Sequence, residues 1–181
     1  MTTKSVDLAH LRNIVLAGHA GAGKTTLAEQ LLFRSGAISR LGRVDDGTAS
    51  LDHEPEEQKR RESLSLAVAA LEHEGTRITL VDTPGYPDFA AEVVEAFAAA
   101  DGALFVMDAS GGVESGLELA VGLGRSTGRA ACFFINKCDR ENANPTAALD
   151  RLRAAFGNKV APLQLAIGAG ESFEGYVDLV H

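Results

Sequence analysis

Short apolar runs alternate along this chain with segments of helical periodicity, a pattern that predicts a mostly parallel sheet covered by helices. Residues 12–17 (RNIVLA) read as a buried strand, and residues 26–33 carry Leu27, Leu31 and Leu32 at helical spacing. Residues 64–72 and 77–81 read as two strands joined by a short turn at 74–76. An Ala-rich helix over 89–100, a buried strand over 103–107, a helix over 114–125, a strand over 130–135 and a helix over 145–156 follow, the last with Pro145 in its first turn. Between the first helix and the second strand, the charged segment 45–64 (DDGTASLDHEPEEQKRRESL) reads as a solvated loop for most of its side chains. No internal repeat or low-complexity linker breaks the series.

Composition narrows the class. The chain has 181 residues, 45% hydrophobic and 23% charged, enough for one sizeable core. Its opening, MTTKSVDLAHLRN, lacks the uninterrupted apolar stretch of a signal peptide, and no run approaches the roughly 18 apolar residues of a spanning helix. A cytoplasmic protein with no membrane partner is the expectation. A net charge of −8 argues against nucleic-acid binding by this chain unaided, because neutralising phosphates needs clustered Lys and Arg. Cys132, in an apolar strand, and Cys138 suit reduced structural thiols.

The chemistry lies where strands end. Gly18, His19, Ala20, Gly21, Ala22, Gly23, Lys24 and Thr25 match G-x-x-x-x-G-K-[ST], between a predicted strand and a predicted helix that continues through Thr26. The glycines let backbone wrap a phosphate, Lys24 pairs with the outer phosphates, and the Thr25 hydroxyl ligates a metal. The helix N-terminus adds unpaired N–H groups and a partial positive charge. Asp82 follows the run ITLV, so its carboxylate emerges beside that loop and can hold a metal-bound water. Gly85, lacking a side chain, can bring its N–H against a terminal phosphate, and losing that phosphate would relax the loop. After CFFI come Asn136, Lys137, Cys138 and Asp139. Asp139 can accept two hydrogen bonds from guanine, Asn136 can bind its far side, and the Lys137 stem can cover the base; adenine would set an acceptor against Asp139. In the charged segment, Ser63 is the candidate hydroxyl to complete a Mg²⁺ shell when a third phosphate is present, and Arg60 could reach a phosphate or a partner. The expected ligands are thus GTP or GDP with Mg²⁺.

These segments, with DHEPEEQKRRESL, DTPGYPDF, FVMDASGGVESG, FFINKCDR and the closing PLQLAIGAGESFEGYVDLV, make nearly the whole chain resemble the nucleotide-binding domain of elongation factor G, the translocase among the translational GTPases. The resemblance implies a P-loop NTPase of the α/β class, with a Ras-like mostly parallel sheet flanked by helices and lacking the final strand and helix. Residues 1–158 would be the incomplete GTP-binding domain and 159–181 the truncated start of an inserted subdomain. It further implies a full-length protein that acts on the ribosome and places the catalytic positions on Lys24, Gly85 and Tyr86. Three departures mark a divergent, elongation factor G-like paralogue. Tyr86 stands where that family has a water-positioning His, Gly21 stands where it has an Asp associated with a monovalent cation, and Arg60-Arg61-Glu62-Ser63 replaces Arg-Gly-Ile-Thr. Tyrosine titrates near 10 and cannot copy imidazole chemistry at neutral pH. Three readings stay open: a slow GTPase stimulated by the ribosome, a GTP-dependent ribosome-associated switch with negligible hydrolysis, and a P-loop enzyme using ATP, which Asn136, Lys137 and Asp139 disfavour.

Overall fold

The computed structural model describes residues 7–180; residues 1–6, the start of the segment read as lacking a signal peptide, and residue 181 lie outside it. β1 (Leu11–Ala17) runs into α1 (Lys24–Arg34), followed by the short α2 (Pro55–Arg60), β2 (Ala67–His73) and β3 (Thr76–Asp82). α3 (Ala90–Ala99), β4 (Gly102–Asp108), α4 (Ser115–Thr127), β5 (Ala130–Asn136) and α5 (Pro145–Phe156) complete the main body. The five-stranded sheet has the order β2-β3-β1-β4-β5, parallel throughout except for the β2–β3 hairpin. A separate antiparallel hairpin, β6 (Gln164–Ile167) with β7 (Gly175–Asp178), closes the chain.

The period of two in β1 sorts its side chains between two cores. Val15 and Ala17 join Phe97, Phe105, Leu117 and Leu152 beneath α3, α4 and α5. Leu16 points the other way, to Ala28 and Leu32 of α1 and to Leu51, Leu71 and Leu80. On the first side Phe97, Phe105, Phe133 and Phe156 form a file of rings 5.4–6.2 Å apart, which couples the sheet to its helices. Among the described residues, no helix is long and apolar enough to cross a membrane.

The alternating pattern located every strand and helix of the sheet layer, and the departures have physical causes. α1 begins two residues before the predicted 26, because Gly23 caps it in the left-handed region and the phosphate-loop motif supplies its first turn. The strand predicted over 64–72 starts only at Ala67: the N–H groups of Leu64 and Ser65 donate to Glu57 Oε1, and that of Leu66 donates to Glu92 Oε2. Carboxylates thus take the bonds a ladder would have used. The predicted helix 89–100 opens instead as a 3₁₀ turn at Pro87–Phe89. The segment 45–64 is more ordered than a solvated loop, since it contains α2 and buries Ala49, Leu51, Asp52 and Glu57. β5, apolar in sequence, is a largely exposed edge strand.

Candidate functional site

The loop between β1 and α1 lies at the carboxyl ends of β1, β3 and β4, where loops from several strands converge. Two glycines let it take its path. Gly18 has φ 144°, and a Cβ there would stand 2.3 Å from the Val106 carbonyl oxygen; Gly23 has φ 94°, with the Asn136 amide nitrogen 2.5 Å from where its Cβ would be. No side chain caps the first turn of α1, leaving that helix end open toward the loop. Lys24 folds back under the loop and donates to the carbonyls of Gly18 (3.1 Å) and His19 (2.9 Å). Burial lowers the pKa of its ammonium against the opposing pull of Asp82. A buried cation whose hydrogen bonds go to two carbonyls is poised for an anion. Within the loop Ala20 is half-buried, Gly21 exposed and Ala22 buried, and Thr26 lies exposed on α1.

Next to Lys24, Thr25 sits in a chain of hydroxyls and carboxylates drawn from three segments. Its Oγ1 donates to Asp82 Oδ2 at 2.6 Å and lies 3.0 Å from Ser63 Oγ, which donates to Asp52 Oδ1 at 3.0 Å. Asp82 is fixed because the next residue, Thr83, donates through both its amide and its hydroxyl to the Leu16 carbonyl. Burial raises Asp82 to a pKa of about 6, against Lys24 and the Thr25 hydrogen bond, with Asp52 and Glu57 pushing it further up. Asp52 is raised too, chiefly by burial and then, against the Ser63 hydrogen bond, by Glu57 and Glu29. Among the described residues, the buried side-chain atoms without a hydrogen-bond partner are Asp82 Oδ1 and Asp52 Oδ2. Two acids, each with an unpartnered oxygen, and two hydroxyls, all oxygen donors, are the chemistry of a hard divalent cation.

Gly85 packs directly on this assembly; a Cβ on it would come 2.4 Å from the Ala20 nitrogen and 2.6 Å from Lys24 Nζ. Tyr86 is exposed beside it, its hydroxyl donating to Glu62 Oε1 at 2.7 Å, its ring edge-on to His19 at 6.5 Å between centroids. His19 accepts from the Gly116 amide and lies 3.7 Å from Glu114. On the far side, Asn136 Nδ2 donates to the Ala22 carbonyl at 2.9 Å. Lys137, with φ 57°, bonds the Gly21 carbonyl and pairs with Asp108 at 2.9 Å. Asp139 is exposed at the mouth of the same loop. Arg60 turns away, to Glu56 of its own helix at 2.6 Å. Cys132 and Cys138 are both free thiols, the first exposed and the second half-buried.

Four acids that shape this region escaped the sequence reading. Glu29, fully buried, accepts hydrogen bonds from the amides of Gly42, Ser50 and Leu51 and from the Ser50 hydroxyl. It moors the segment before α2 to α1. Its signal was available: Thr25, Ala28 and Leu32 form the inward stripe of α1, and Glu29 falls within it. Glu57 gathers the segment after α2; burial opposes its ionisation, but the amides of Ser65, Glu54, Leu64 and His53 hold it below the usual carboxylate range. Asp52 adjoins the apolar Leu51, the one hint that it faces inward. Asp108, also held low because hydrogen bonds from Ser110 and Lys137 outweigh burial, anchors Lys137.

Residues 9–179 match the model of the elongation factor Tu GTP binding domain. The chain belongs to that family. Guanine nucleotide is accordingly the ligand class of this GTP-binding domain. It is 38% identical over 173 residues to "Elongation factor G 1" of Treponema denticola, covering 96% of this chain and 25% of that protein. To elongation factor G of Mycoplasma pneumoniae it is 34% identical over 177 residues, 98% of this chain and 26% of that one. A crystal structure of a protein from Thermus thermophilus superposes with a TM-score of 0.88 at 38% identity, over 94% of this chain and 26% of the other. The chain thus spans about a quarter of the length of the family members it matches.

Proposed function

We propose that this chain is the nucleotide-binding part of a translation factor resembling elongation factor G, in which Mg²⁺-GTP binding and slow hydrolysis drive an action on the ribosome in the cytoplasm. The observation that carries the proposal is the meeting of Thr25, Ser63 and Asp82 beside a buried Lys24, with Asp82 Oδ1 left without a partner. These three side chains hold Mg²⁺; when bound, the ion neutralises phosphate charge. Lys24 exchanges its two carbonyl partners for phosphate oxygens, and the open first turn of α1 donates its N–H groups to them. Gly85, closely apposed to Ala20 and Lys24, lends its N–H to the terminal phosphate. Asp139 reads the donor edge of guanine, the Lys137 stem lies along the base, and Asn136 keeps the two loops in register through Ala22 while flanking the base. Residues 1–158 constitute the nucleotide domain and residues from 159 a second subdomain, a division consistent with the separate β6–β7 sheet.

A second reading, a GTP-dependent switch with negligible turnover, is favoured by one observation: the Tyr86 hydroxyl is engaged by Glu62 and offers no imidazole to an attacking water. GTP turnover by the full-length protein, with and without ribosomes, tests both. Ribosome-stimulated phosphate release supports the GTPase, and unchanged near-zero turnover with nucleotide bound supports the switch. Failure to bind GDP in the presence of Mg²⁺ refutes both.

A further inference from the structure

Two of the positions at which this chain departs from the elongation factor G pattern touch each other. Tyr86 follows Gly85 on the loop after β3, Glu62 precedes Ser63 at the end of the charged segment, and the phenol donates to the carboxylate at 2.7 Å. Tyr86 is braced from behind by the His19 ring, itself fixed by the Gly116 amide at the start of α4. The bond therefore ties the segment carrying Ser63 to the loop after β3, whose Tyr86 ring stands edge-on to His19 of the phosphate loop. Its consequence falls on the neighbouring residue: with Glu62 held, Ser63 stays within 3.0 Å of Thr25 and of Asp52.

We propose that Tyr86 and Glu62 form a lock that holds the Ser63 segment closed before nucleotide arrives, so that both act as positioning residues for GTP. The inference rests on the reading of Thr25, Ser63 and Asp82 as the cation site. A state that must close to bind GTP fully loses affinity in proportion to the fraction that is open, and a pre-closed segment escapes that loss. GDP, which lacks the phosphate that the closed segment serves, gains little. The lock thus sets preference between the two nucleotides.

Hydrogen exchange reads the lock without any nucleotide, since the amides of Leu64 and Ser65 are held by Glu57 and report opening of the segment. Tyr86→Phe removes one exposed hydroxyl and leaves the ring against His19. It should speed exchange of these two amides about threefold to tenfold, the range for a typical single hydrogen bond. Affinity for a non-hydrolysable GTP analogue should fall by up to the same factor in calorimetry with Mg²⁺, and GDP affinity should stay unchanged. Glu62→Ala should match Tyr86→Phe, the double variant should be no worse than either, and Glu62→Gln, which keeps an acceptor, should retain most of the protection. Unchanged exchange in Tyr86→Phe overturns the lock, as does an equal loss of GDP and GTP-analogue affinity. Faster exchange in a protein that binds no nucleotide supports the lock and overturns the reading of the cation site.

Discussion

Asp82→Asn should make the nucleotide-free protein more stable while removing its response to Mg²⁺. In the structure this carboxylate is buried, its Oδ1 has no partner among the described residues, and its pKa stands at about 6 against an ordinary 3.8. At about 1.4 kcal/mol per pH unit, keeping the group ionised at neutral pH costs the folded state about 3 kcal/mol. The direction follows from proton counts. Between about pH 4 and 6 the folded state binds more protons than the unfolded chain, so stability falls as pH rises through that window and is level above it. Asparagine carries no charge and keeps an acceptor for the Thr25 hydroxyl, although its amide N–H group brings a bonding demand of its own. A gain of about 1–3 kcal/mol at pH 7.5 remains, or about 3–10 °C in melting temperature for a domain of this size. Thermal melts of both proteins in chelator, from pH 4.5 to 8, check this: the curves should diverge as pH rises to about 6 and run parallel beyond. Added Mg²⁺ should raise the parent's melting temperature and leave the variant's unchanged. A variant less stable than the parent at pH 7.5 in chelator, or a difference constant across the window, would refute the reasoning.

Lys24→Ala should abolish most GDP binding, and GDP with Mg²⁺ should then raise the melting temperature of the parent only; an equal rise in both proteins would place the ligand elsewhere. Thr25→Ala should retain weak binding that no longer depends on Mg²⁺, by calorimetry with and without the ion. GDP should bind at least about tenfold tighter than ADP, about 1.4 kcal/mol, and Asp139→Asn should erode that margin and favour xanthine nucleotides; equal GDP and ADP affinities in the parent would count decisively against guanine. Glu29→Ala strands the buried amides of Gly42 and Leu51 and that of Ser50, which should cost about 2–4 kcal/mol in denaturant melts, with faster exchange concentrated in residues 42–51.

The sheet and the loops at its carboxyl edge were legible because each depends on local pattern. Apolar runs mark β1, β3, β4 and β5, and the phosphate loop needs glycines at spaced positions that few other structures require. Ser63 was singled out as the last polar residue before the predicted strand, and it lies against Thr25. The charged segment was not legible, because its order comes from long-range pairing. Glu29 and Glu57 each draw several backbone amides inward, and composition alone cannot distinguish such an acid from a solvated one. For the same reason the first residues of the strand predicted at 64 were misassigned: their hydrogen bonds go to carboxylates on α2 and α3, which no periodicity encodes. The Tyr86–Glu62 contact is of this kind too, since each residue by itself reads only as a departure from a pattern.

The exposed edge of β5 is where this sheet can be extended. Its seven residues, AACFFIN, contain no charge and no proline, its Phe134 is open to solvent, and only β4 pairs with it among the described residues. Such a strand carries unpaired backbone N–H and C=O groups along its free side and is a template for a further strand, with Arg129 and Lys137 at its two ends.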